Sequence, residues 1–464
     1  MTFKDAVQDT PVVRQTDNGM KTFASSLKAT VDMFFQVGAS RGKDVSAMFE
    51  RAYQEDRLIA LRIAAWARDV RGGAGERGVF RNILSYVEKM HSNELPQLVQ
   101  VTPTYGRWDD LLVLTTDAGR KLAFDMIKEA LLVKQDGLCA KWMPRKGDDA
   151  VALRKHLGLT PKGYRKTLVT LTKVVETQMC AQDWAAIDYE HLPSVASARY
   201  QKAFGRHDPT GYGLYKEKLV SGDAKINAGA VYPYDVIKSI RMGDPDVAKA
   251  QWDALPNYIG DALVLPMVDV SGSMNCPAGG NPNVTCMDVS ISLGLYLADK
   301  NTGPFKDMFL TFSTSSKIEV LKGNIVEKYN QLQRADWDMS TNISGAFDEV
   351  LRVATTNSVK AEDMPKYMVI FSDMEFDACV NNDDSAMEMI KRKYEKAGYV
   401  VPNVIFWNLN AREGNVPVRY DESGTALVSG FSPSLMTSIL KASDIDPVSI
   451  MMEVVNSERY AVIQ

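Results

Sequence analysis

No run of eighteen apolar residues occurs in this chain of 464, which leaves no candidate for a membrane-crossing helix. The opening stretch, MTFKDAVQDTPVVRQTDNG, is polar and lacks the apolar segment of a secretory signal, so a cytoplasmic protein that avoids membranes is expected. Cysteine is scarce: Cys139, Cys180, Cys276, Cys286 and Cys379 are the whole complement, and none stands in a CxxC pair. An odd number at irregular spacings argues against a disulfide framework and against a zinc site, and predicts reduced, mostly buried thiols. The four histidines, His91, His156, His191 and His207, make no HExxH or HxH pattern and read as structural or surface residues.

Hydrophobic content of 45% and charged content of 24% are those of a globular protein, and the length points to two or three domains. Charge is divided unevenly. Residues 1–250 carry 37 Lys and Arg against 30 Asp and Glu, and the remainder carries 17 against 28. The front suits a polyanion and the back suits a cation.

Strand-like alternation is almost missing from residues 20–250, which read as helix after helix. In RLIALRIAAWARDV, Arg57–Val70, the apolar residues recur at helical spacing. RGGAGERG breaks that helix, and Val79–Met90 forms the next. WDDLLVL from Trp108, RKLAFDMIKEALL from Arg120 and YRKTLVTLTKVVETQM from Tyr164 are further helical units. No strict period joins them, so stacked hairpins of a degenerate, HEAT-like solenoid fit best. RGGAGERG has no strand before it and no GK[ST] after it, so it reads as a tight interhelical turn in place of a nucleotide loop. Asp109 or Asp110 is expected to cap a helix.

The pattern changes at Ala254, where ALPNYIGDA reads as a linker. Domains of 1–253 and 254–464 follow, the first ~20 residues being an extended arm. Short apolar runs at Leu263–Val268, Met308–Phe312, Tyr367–Phe371, Val404–Asn408 and Thr425–Ser429 read as strands. They alternate with helical patterns over Val284–Asp299, Asn342–Ala354 and Ser385–Ala397. Such alternation predicts a doubly wound parallel α/β sheet, with ligands at the carboxyl ends of its strands.

Asp269-Val270-Ser271-Gly272-Ser273 stands at one such end. Period-two spacing turns Asp269, Ser271 and Ser273 to one side and presents a carboxylate with two hydroxyls. Mg²⁺ is the expected cation, with Mn²⁺ or Ca²⁺ as alternatives, because hard oxygen donors suit these ions better than zinc. Thr341 and Asp373 stand where later strand ends bring loops over the same edge, with Ser340 an alternative to Thr341 if the register differs by one. The arrangement resembles the metal-ion-dependent adhesion site of the von Willebrand A family. The resemblance implies that Asp269, Ser271 and Ser273 flank the metal, that Thr341 joins from a second loop and that Asp373 acts through water. It also implies an open position for a partner's carboxylate. An insert, Asn275–Thr285, separates the motif from its helix.

Strings in the helical half carry a second resemblance. RGGAGER at Arg71–Arg77, YGRWDDLL at Tyr105–Leu112, KWMPRKG at Lys141–Gly147, ETQMCAQDWAAIDYEHLPSVA at Glu176–Ala196 and FGRHD at Phe204–Asp208 are similar to a family of Ro-like proteins. More distantly they resemble the Ro autoantigen and its TROVE module. That likeness implies helical repeats closed into a ring by the A-type domain, and small non-coding or misfolded RNA as partner.

The residues lend RNA their own support. Lys141, Arg145, Lys146, Arg154, Lys155, Lys162, Arg165, Lys166 and Lys173 fall within 35 positions, opposed by Asp148 and Asp149 alone. Trp142 and Tyr164 lie among them as candidates for stacking on bases. A solvated basic face is the plainer alternative. Three functions therefore compete. The first is a non-enzymatic, monomeric RNA-binding scaffold. The second is an adaptor whose metal grips an acidic residue of a protein partner. The third is a metal-dependent hydrolase, disfavoured because Glu375 is the only nearby candidate base.

Overall fold

The computed structural model describes residues 10, 12–229, 231–242, 245–278, 284–312, 316–334, 341–378, 386–412 and 415–464. Asp56 caps the helix Arg57–Arg68, its carboxylate accepting from the Ile59 amide at 3.0 Å. Residues Ile59–Leu61 and Ile63–Arg68 of that helix are buried, so it forms the centre of the first helical layer. RGGAGERG makes the expected tight turn to the helix Arg77–Met90: Ala74 N donates back to Trp66 O at 3.1 Å, and a Cβ on Gly73 would strike that carbonyl. Asp110 is buried, accepts from the Arg107 amide at 3.0 Å to cap the 3-10 turn Trp108–Val113, and pairs with Arg68 and Arg81 at 2.6 and 2.7 Å. The long pattern from Tyr164 divides into Pro161–Leu171 and Val175–Cys180. The break falls at Thr172, whose hydroxyl donates to the Leu168 carbonyl at 2.7 Å amid β-branched neighbours.

From Val264 onward a six-stranded sheet forms. Its strands are β3 (Val264–Val268), β4 (Met308–Thr311), β5 (Ile318–Val320), β6 (Tyr367–Ser372), β7 (Asn403–Asn408) and β8 (Thr425–Ser429), in the spatial order β5-β4-β3-β6-β7-β8. All pairings are parallel except β4 with β5. β3 and β8 are buried along their whole length because helices cover both faces of the sheet. The fold is thus helices followed by a doubly wound α/β domain, as the sequence predicts. The edge strand β5 and the helix Ile325–Arg334 have too little apolar character to announce themselves.

Segments far apart in sequence complete this domain. β1 (Val13–Gln15) and β2 (Lys21–Phe23) form a hairpin, and Phe23 exchanges backbone hydrogen bonds with Val416 at 2.9 and 3.1 Å. The helix Ala29–Val37 lies against β8, where the Ser429 hydroxyl donates to Phe34 O at 2.8 Å and Asn408 Nδ2 to Phe35 O at 3.3 Å. Near the carboxyl terminus, Arg459 pairs with Asp69, and the Tyr460 hydroxyl donates to Asp69 Oδ2 at 3.0 Å. At the other end of the helical run, Trp252 Nε1 donates to Asp299 Oδ2 at 2.8 Å and Arg241 pairs with Asp288 at 2.8 Å. The helical run therefore leaves from the α/β domain and returns to it.

Candidate functional site

β3 and β6 are neighbours in parallel register, Val268 beside Phe371, so the residues that follow them emerge together at one edge. This places Asp269 and Asp373 there, both fully buried. Ser271 and Ser273 sit on the turn after β3. Their hydroxyl oxygens are 3.0 Å apart, and Ser273 Oγ donates to Asp373 Oδ1 at 3.3 Å. Asp269 Oδ1 accepts from the Ser271 amide at 2.9 Å, and Oδ2 accepts from Ser372 Oγ at 2.5 Å. Burial, and then the negative charge of Asp373, push the Asp269 carboxyl up to about 6. Two buried carboxylates thus stand close together at one strand edge.

These are hard oxygen donors of the kind a small divalent cation takes, and the Ser271–Ser273 and Ser273–Asp373 separations of 3.0 and 3.3 Å are compatible with neighbouring positions around such an ion. The structure brings together Asp269, Ser271, Ser273 and Asp373. Thr341 is fully buried near them but is engaged elsewhere: its hydroxyl donates to Glu375 O at 2.7 Å, lies 3.0 Å from Asp377 Oδ1 and accepts from Asn18 Nδ2 at 3.4 Å. Ser340, Cys379 and residues 279–283 of the insert lie outside the described residues.

Arg412 is the residue that sequence reasoning missed. It follows β7, four residues past Asn408, on the same edge as the motif, and that placement was its only signal. Its Nη2 donates to Asp373 Oδ2 at 3.0 Å, and its Nη1 lies 3.3 Å from Glu375 and 3.4 Å from Asp17. Glu375, the candidate base, is buried and fully engaged: it also accepts from the Asp17 amide at 2.9 Å and from Asn415 Nδ2. The hairpin tip thus rests on the rim of the site. The four histidines all lie in the helical part, paired with Glu50, Asp125 and Asp188 or stacked on Trp184.

The basic stretch occupies the helices Gly137–Trp142, Asp148–His156 and Pro161–Leu171 and the segments beside them. Arg145, Lys146, Lys155, Lys162, Arg165, Lys166 and Lys173 are exposed, and none has a carboxylate partner among the described residues. Asp149 turns away to Arg120. Two members are partly spent: Lys141 pairs with Glu176 at 3.4 Å, and Arg154 donates to Leu159 O at 3.1 Å. Tyr164 is no stacking platform. It falls with Leu168 on the inner helical face, is buried, and donates its hydroxyl to Pro144 O at 2.9 Å. Trp142 is half-buried, with the Arg107 guanidinium 3.5 Å from its ring centre.

These features define a two-part protein of Ro-like architecture, a helical run closed on a doubly wound α/β domain. The crystal structure of the Deinococcus radiodurans RO (RSR) protein matches the chain with a TM-score of 0.52, covering 93% of this chain and 99% of that one at 15% identity. Two family models match, both described as domains of unknown function: DUF2828 over residues 16–134 and 127–261, and DUF7788 over residues 264–461. An uncharacterized protein of Acanthamoeba polyphaga mimivirus is 30% identical, covering 95% of this chain and 86% of the relative. The chain belongs to the DUF2828 family.

Proposed function

We propose that this protein is an RNA-binding scaffold of the Ro type, without catalytic activity of its own. Its exposed basic helices hold structured or misfolded RNA, and its A-type domain keeps one divalent cation, Mg²⁺ by preference. The Ro-like course of almost the entire chain carries the reading. Seven exposed cations without carboxylate partners among the described residues support it, since phosphates would serve as their counterions. The engagement of Glu375 supports a binding role over hydrolysis, because its carboxylate is held by Arg412, Asn415 and the Asp17 amide.

For the cation, Asp269, Ser271, Ser273 and Asp373 are the holders we assign, with the buried Thr341 as a further candidate donor. The bound ion would supply positive charge to two buried carboxylates and an open position for an acidic partner. The test is a titration of nucleic-acid-free protein with structured RNA bearing a single-stranded end, at several salt concentrations. Binding that weakens steeply with salt, and is lost when Arg145, Lys146, Arg165 and Lys166 become Ala, supports the reading. An absence of binding at low salt, with metal-dependent capture of an acidic protein segment, establishes the adaptor in its place.

A further inference from the structure

Three residues past Ser273 the chain places a thiol directly opposite another. Cys286 N donates to Cys276 O at 3.0 Å, Ala278 N donates to Val284 O at 2.7 Å, and Pro277 bridges Thr285 in antiparallel sense. Cys276 and Cys286 therefore face one another one step beyond that bridge. The sulfurs are 3.4 Å apart. We propose that Cys276 and Cys286 are a redox-modifiable pair that forms a reversible disulfide on exposure to a hydroperoxide.

The two sulfurs differ as the attacking and resolving members of such a pair must. Cys276 is partly buried but reaches solvent, and Asn410 Nδ2 donates to its sulfur at 3.4 Å. Cys286 is 1% exposed. Cys276 is therefore the sulfur a small oxidant meets first. The other described cysteines lack this setting: Cys139 is buried and pushed up by burial, and Cys180 is exposed with no thiol beside it among the described residues.

The chemistry balances with one hydroperoxide per pair. The Cys276 thiolate attacks the distal peroxide oxygen, an S–O bond forms, the O–O bond breaks, and hydroxide or alkoxide leaves and takes a proton. Cys286 then attacks the Cys276 sulfenic sulfur, the S–O bond breaks, and the Cys286 proton leaves with the hydroxide as water. Two thiols have given two electrons, and a dithiol reverses the step by exchange. In a reducing compartment such a bond forms transiently, as a sensor and not as a structural staple.

The bond ties Cys276, three residues past the Asp269–Ser273 motif, to the first residue of the helix Cys286–Lys300. It also removes the S–H that Cys286 donates to Leu409 O at 3.4 Å, on the segment after β7. Arg412 follows on that segment, so the redox state reaches the rim of the acidic site.

The experiment exposes the full-length reduced protein to one equivalent of hydrogen peroxide at neutral pH and counts free thiols. Peptides are then mapped by mass spectrometry without reduction. The expected result is loss of two of the five thiols, one intrachain link joining the Cys276 and Cys286 peptides, and full return with dithiothreitol. In Cys286→Ser the link is absent and a sulfenic acid on Cys276 is trapped by dimedone. Retention of both thiols in the wild-type protein, or a link running through Cys139, Cys180 or Cys379, overturns the proposal. The wild-type measurement decides even where a variant folds poorly, and it is independent of any bound cation.

Discussion

The guanidinium of Arg412 lies 3.0 Å from the fully buried carboxylate of Asp373 and reaches Glu375 through its other nitrogen at 3.3 Å. An organic cation from the segment after β7 thus supplies part of the charge that the carboxylates of the strand edge require. Removing one partner of a buried pair leaves the other uncompensated, at a cost of about 3–5 kcal/mol, reduced here because Arg412 is partly exposed. Arg412→Ala is expected to unfold at lower temperature in chelator and to regain more from millimolar Mg²⁺ than the wild-type protein does. Thermal unfolding with and without the ion checks this, and equal Mg²⁺ responses would sink it.

Asp269→Asn should behave in the opposite way. Asp269 is buried beside another carboxylate, and both circumstances oppose its charge. The neutral amide is close in size, so the variant should be as stable as the wild-type protein in chelator, or more so. Its stabilisation by Mg²⁺ should vanish, because the ligand charge is gone. Calorimetric titration with Mg²⁺ alone, and then with Mn²⁺, reads the loss directly.

The junction of the helical run with the α/β domain should report on acid. Burial alone would raise the Asp299 carboxyl, but hydrogen bonds from Lys328 and Trp252 outweigh it and hold the group below its ordinary value. A depressed folded-state value means stability that is present above the unfolded value of 3.8 and is lost as pH falls through the folded one. Urea unfolding between pH 7 and pH 3 should show a slope that flattens in Asp299→Asn. At pH 7 the substitution should cost about 1–3 kcal/mol, since Lys328 keeps Asp307 at 2.6 Å.

On the basic helices, exposure separates residues that the sequence treats alike. Lys155 is exposed with no carboxylate partner among the described residues, whereas Arg154 holds the Leu159 carbonyl at 3.1 Å. Lys155→Ala should weaken RNA binding evenly across sequences and lower the salt slope by just under one, with unchanged stability. Arg154→Ala should lower thermal stability as well. Fluorescence anisotropy at several salt concentrations, beside melting curves, distinguishes the two.

Much of this protein is legible in its sequence. Apolar runs of four to six residues between amphipathic stretches determined the strands β3, β4, β6, β7 and β8, because a parallel sheet buried on both faces must be apolar along its length. The strand-end rule then placed Asp269 and Asp373 on one edge, since residues at the ends of neighbouring parallel strands emerge side by side. Glycine-rich breaks and local caps, such as Asp56 before Ile59, were likewise written locally. What only the tertiary structure decided depends on contacts without a local signature. Phe34 meets Ser429 across nearly four hundred residues, and a helix that reads as part of the solenoid packs against β8. Tyr164 and Lys166 share one helix, yet one is buried and the other solvated, which depends on the layer beneath. Arg412 became part of the acidic edge because chain closure brought distant loops together, and Cys276 faces Cys286 through a short antiparallel bridge that the sequence does not announce. Periodicity encodes which face of an element is apolar, and only packing selects what that face meets.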